Sequence, residues 1–167
     1  SNFIAGVNAG NSIASGGNFN TAVGDEAGTA ITTGDNNTLF GYGSGDALDT
    51  ATNNTAIGHN ALTADTKGSY NVAIGKGTLA NQNFTSATDS YNVAVGSSAG
   101  NDITTGIDNT LIGANAGDAL TDADYNTAIG FESLSSDTLG SRSVALGYFS
   151  LRNQNFTSAT DSYNTAL

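Results

Sequence analysis

His59 is the chain's single histidine, and there is no cysteine. A Ser-His-Asp triad needs that imidazole held between a nucleophile and a carboxylate. His59 instead follows Gly58 at a position that holds Tyr42, Lys76, Ala114, Phe131 and Tyr148 elsewhere in the chain. It reads as an exposed turn residue. Glu26 and Glu132 lie far apart, with no acid–base partner indicated. The glycines recur with a repeat period and not in the GxxxxGK spacing that cradles phosphate. No enzymatic activity is expected.

Three other groups have chemistry to weigh. Asp118, Asp122 and Asp124 crowd one turn, and oxygen-rich loops of this kind can hold calcium. The GGxGxDxUx pattern of calcium-binding rolls is absent, so solvated acids that keep the chain soluble are the simpler expectation. No other cofactor is expected. Tyr70, Tyr91, Tyr125 and Tyr163 recur at equivalent places and could stack between protomers or touch a ligand. Phe84 and Phe156 sit at matching points of two insertions. A protruding apolar side chain there could anchor a partner, or fold back to cover a groove.

The composition limits what can position these residues. Gly, Asn, Ser, Thr and Asp supply 95 of 167 residues, and Val, Ile, Leu and Phe only 33. That is too few large side chains for an ordinary globular core. Fifteen acids against four bases give a net charge of -11. Nucleic-acid binding rests on Lys and Arg neutralising phosphates, so it is not expected. No apolar run is long enough for a membrane span of about 20 residues, so membrane insertion is not expected either. The sequons at Asn36, Asn53, Asn83 and Asn155 are expected by chance in so Asn- and Thr-rich a chain.

A repeated word organises the chain. NTAVG, NTLFG, NTAIG and NVAIG begin at Asn20, Asn37, Asn54 and Asn71. NVAVG, NTLIG, NTAIG and SVALG begin at Asn92, Asn109, Asn126 and Ser143. The spacings are 17, 17, 17 and 21, then the same again. Residues 20–91 and 92–163 are therefore two copies of one four-rung unit, with about 44 of 72 positions identical. Residues 1–19 form an irregular leading rung, and 164–167 start a further one.

Gly at the fifth position of every rung would break a helix. A short strand ending in a glycine turn fits better. The fold expected is all-β: a parallel β-solenoid, or β-roll, of stacked 17-residue coils with a rise of roughly 4.8 Å each. Asn20, Asn37, Asn54, Asn71, Asn92, Asn109 and Asn126 should then form a ladder of side-chain amides. Position nine is Gly where position twelve is aliphatic (Gly28 with Ile31, Gly45 with Leu48). It is Leu where position twelve is polar (Leu62 with Asp65, Leu79 with Gln82). Such compensation places both positions on one narrow core of conserved volume.

Each rung offers few apolar side chains, many of them Ala. Their burial barely offsets an ordering cost of roughly 1.5 kcal/mol per residue. A homo-oligomer is therefore expected, and Ala at position three suits close approach between chains.

NTAIG, NVAIG and SVALG resemble the SVAIG-type repeats in heads of YadA-like trimeric autotransporter adhesins. Longer stretches such as NTAIGHNALTADTKGSY are similar to 17-residue repeats in phage tail fibres. The resemblance covers nearly the whole chain and implies left-handed coils in a homotrimer, at the cell surface, on a virion or otherwise extracellular. The expected role is a structural shaft of an adhesin or tail fibre that supports attachment to a host. One alternative is a module that binds a host surface glycan or protein through its insertion loops and Tyr rows. A second is an ice- or mineral-binding solenoid, for which the position-two threonines would need to face out. The pattern is also open at both ends, so a longer chain or end-to-end filament assembly is expected.

Overall fold

The computed structural model describes residues 1–14 and 16–167. The chain is a parallel β-solenoid, with no helix among the described residues. One ten-stranded sheet runs its whole length, each strand paired with the next rung's strand. The strands are Phe3–Ala5, Thr21–Val23, Thr38–Phe40, Thr55–Ile57, Val72–Ile74, Val93–Val95, Thr110–Ile112, Thr127–Ile129, Val144–Leu146 and Thr165–Ala166. The register follows the repeat: Thr38 lies on Thr55, Leu39 on Ala56 and Phe40 on Ile57. The two insertions add short ladders of their own, Gly68–Ser69 with Thr88–Asp89 and Gly140–Ser141 with Thr160–Asp161.

Glycine follows nine of the ten main strands, where successive coils touch. Gly41 has φ +132°, and a Cβ on it would stand 2.6 Å from the carbonyl oxygen of Gly58 in the next coil. Alanine would meet both a strained backbone and a carbonyl fixed by the stack. Gly41→Ala is expected to lower the melting temperature by several degrees in a circular dichroism scan.

The core is one column. Position three is buried in all eight rungs of residues 20–163, as Ala22, Leu39, Ala56, Ala73, Ala94, Leu111, Ala128 and Ala145, whereas Ile4 of the leading rung is exposed. The position-three alanines were expected to let neighbouring chains approach. They point instead into their own coil, because strand side chains alternate and the buried Asn at position one sets the phase. The compensation between positions nine and twelve holds. Ile31, Leu48, Ile103 and Leu120 are fully buried beside glycine, and Leu62, Leu79 and Leu134 fill the same column elsewhere. A Cβ on Gly28 would collide with Leu39 and Ile31.

Candidate functional site

The seven position-one asparagines from Asn20 to Asn126 are all buried, and each fastens the stack in two directions. The Asn109 Oδ1 accepts a hydrogen bond from the backbone N–H of Asn126 at 2.9 Å. Its Nδ2 donates to the carbonyl of Ala123 at 2.8 Å, fourteen residues on in the same coil. Asn20, Asn37, Asn54, Asn92 and Asn126 repeat both contacts. Direct amide–amide bonds occur only at some steps, such as Asn37 to Asn20 at 3.0 Å and Asn71 to Asn54 at 3.1 Å. The expected amide ladder is thus chiefly a side-chain-to-backbone one. It closes each coil and joins it to the next.

The insertion coils replace this closure. Asp65 lies buried under the first insertion, and its Oδ1 accepts from the backbone N–H groups of Gly68 and Phe84 at 3.0 and 3.1 Å. Its Oδ2 accepts from Gln82 Nε2 at 2.6 Å, while Gln82 Oε1 accepts from Asn92 Nδ2 at 2.8 Å. Asp137, Gln154 and Asn164 repeat the relay in the second unit. These carboxylates are structural fasteners: every partner is a fixed donor of the same fold. Sequence reasoning saw only that position twelve turned polar here.

The insertion phenylalanines do not stand out as anchors. Phe84 is 6% exposed and packs over Gly68, and Phe156 is half-buried over Gly140. The exposed tips are Thr85–Ala87 and Thr157–Ala159. Tyr91 and Tyr163 are exposed. Tyr91 stacks on Tyr70 with ring centroids 5.1 Å apart, so its face is partly occupied. In the second unit Arg142 lies over Tyr125 at 4.6 Å and near Tyr163 at 5.9 Å, and pairs with Asp161 at 3.0 Å. His59 is exposed and stacks on Tyr42 at 5.3 Å.

The three aspartates of the acidic turn do not gather on one point. Among the described residues no three acidic or imidazole groups converge as metal ligands. Asp122 accepts from Thr105 Oγ1 at 2.6 Å and Asp124 from the Ile107 N–H at 2.8 Å. Both bonds reach across to the preceding coil. Asp118 is half-buried, and its Oδ1 has no hydrogen-bond partner. Desolvation, with smaller contributions from the charges of Asp102 and Glu132, pushes its pKa up to about 6. The folded form therefore holds this proton more tightly than the unfolded chain. The resulting stabilisation is full below the unfolded value near 3.8 and is lost as pH rises through about 6. Asp118→Asn is expected to remove that component. The melting-temperature gain of the variant over the parent should grow between pH 4 and pH 7.

The outer face of the main sheet is unpartnered in the single chain. Positions two and four point outward, and no charged residue occupies either in any of the ten strands. Position four carries Val23, Phe40, Ile57, Ile74, Val95 and Ile112, with Ile129 and Leu146 above them. Phe40 is 57% exposed in the single chain. The face is about 43 Å long, nine steps of roughly 4.8 Å. The nearest acids in sequence, Asp25 and Asp108, flank the strands and do not occupy them. No cavity opens among the described residues. No family model matches the chain, and no curated protein or solved structure is significantly similar to it. The outer sheet face was legible in the alternation of β-branched residues around position three, once the inward direction of that position was known.

Proposed function

We propose that the chain is a shaft segment of a homo-oligomeric fibre. Three left-handed coils stand side by side around one axis, outside the cell or on a virion, and hold an attachment apparatus away from its base. The uncharged outer sheet face carries this reading. A chain of net charge -11 that leaves its longest apolar surface free of every charge is built to cover that surface. The comparison of the two units supports it. Between residues 20–91 and 92–163 the outward sheet positions change only by Thr21 to Val93, Phe40 to Ile112 and Ile74 to Leu146. Positions away from the sheet face change class freely, as the exposed Thr50 to Asp122 and the half-buried Lys67 to Leu139. Covered residues are held to one chemistry, and solvated ones are not. Amine-reactive cross-linking at micromolar concentration tests the reading. Bands should stop at three chains, and a monomer band alone would overturn it.

A second reading, recognition of a host glycan or surface protein, has one favourable observation. Residues 81–91 and 153–163 are identical, including the exposed Thr85, Ser86, Asp89 and Tyr91. Surface-wide binding assays comparing the parent with Ser86→Lys/Ser158→Lys test it; unchanged binding removes it. The position-two threonines do face outward, as an ice-binding surface requires. Val72, Val93 and Val144 interrupt their row, and the bulky Phe40 breaks the flatness beside it.

A further inference from the structure

Two exposed columns edge the sheet face. One holds the residue just before each position-one residue, and the other holds position six, just after the glycine. Both flank the same three-residue strand of one coil, so the two members of a level share a height along the fibre. They lie six residues apart, about 20 Å in extended chain, and cannot touch within one molecule.

Their chemistry nevertheless changes together between the two units. At the level of Asn71 the pair is Tyr70 and Lys76; at the equivalent level of Ser143 it is Arg142 and Tyr148. The cation and the aromatic ring have exchanged columns. At the level of Asn54 the pair is Asn53 and His59, and at that of Asn126 it is Tyr125 and Phe131, so a polar pair has become an aromatic one. The acids meet no acid: Asp25 is level with Phe19, and Asp108 with Ala114. All of these side chains are exposed in the single chain except Ala114, which is half-buried.

We infer that the two columns recognise each other between neighbouring copies, level by level, in a parallel assembly without axial stagger. This inference rests on the assembly proposed above and specifies its contact. Rotation about the fibre axis carries one copy's leading column to the next copy's trailing column at the same height. Three faces at most about 20 Å wide enclose an axis within about 6 Å of each sheet, close to half the roughly 10 Å spacing of packed sheets. The outward Val, Ile and Thr side chains fill that space. Four faces would stand about 10 Å from the axis and leave it hollow. Two faces packed as a sandwich would hold the columns about 10 Å apart, beyond the roughly 6 Å of a cation–ring contact. In the three-chain arrangement the corners meet, and Tyr70 receives Lys76 of one neighbour while Arg142 receives Tyr148.

The chain has no cysteine, so engineered pairs report cleanly. Tyr70→Cys/Lys76→Cys, mildly oxidised, should run as a covalent three-chain species on a denaturing gel without reductant. Arg142→Cys/Tyr148→Cys provides an independent pair should the first variant fold poorly. Tyr70→Cys/Ala114→Cys, two levels out of step, should remain single chains. Sedimentation of the reduced variants separates the two ideas. Three-chain mass without same-level disulfides, or equal linking out of step, overturns the inference and leaves the assembly standing. Single-chain mass overturns both.

Discussion

Asn109→Ala is expected to cost the fold about 2–6 kcal/mol, one of the two largest effects anticipated for this chain. The estimate is the loss of two buried contacts at roughly 1–3 kcal/mol each. Asn109 is fully buried. Without its side chain the Asn126 N–H and the Ala123 carbonyl lose bonds of 2.9 and 2.8 Å inside the stack, where no water reaches them. Domains of this size are stable by only about 5–15 kcal/mol, so the variant should unfold at distinctly lower urea concentration. Thr33→Ala, at an exposed site, should shift stability by no more than about 0.5 kcal/mol. Ser143 shows how one rung dispenses with the amide. The Gln154 Nε2 of the insertion coil donates to Ser143 Oγ at 2.9 Å. Asn109 has no such neighbour, and its loss is uncompensated. Equal urea midpoints for Asn109→Ala and the parent would show that the ladder does not hold the coils.

Ile57→Lys/Ile129→Lys should reduce the mass in solution threefold while the circular dichroism spectrum persists. The two positions are equivalent in the two units and point outward, 36% and 38% exposed in the single chain. Neither contributes to the inner column, so each coil keeps its packing. In the proposed assembly every substituted level brings three ammonium groups to an apolar axis, and each unpaired buried charge costs about 3–5 kcal/mol. Two such levels exceed what an interface of this width can supply. Full retention of the assembly would place the contact on another side of the solenoid.

Much of the architecture was legible because a solenoid writes its geometry into period and identity. The 17-residue spacing set the stack, glycine at position five marked the turn that ends each strand, and the Gly–Ile against Leu–Asp exchange located the core. Other features were hidden for physical reasons. A short strand such as Thr55–Ile57 carries apolar or β-branched groups on both faces, so hydropathy alone does not say which side is inward. The direction is decided by Asn54, whose amide is satisfied only inside the coil. The burial of Phe84 was equally invisible, since it depends on Asp65 capturing its N–H nineteen residues away. The aspartates of the suspected calcium turn looked like a cluster only in one dimension. In the fold, Asp122 and Asp124 each turn to the coil below.

Sedimentation equilibrium of the unmodified chain bears most directly on the shaft. Across micromolar loading concentrations the account predicts one species of three times 16.7 kDa. A folded species of 16.7 kDa throughout that range would contradict it.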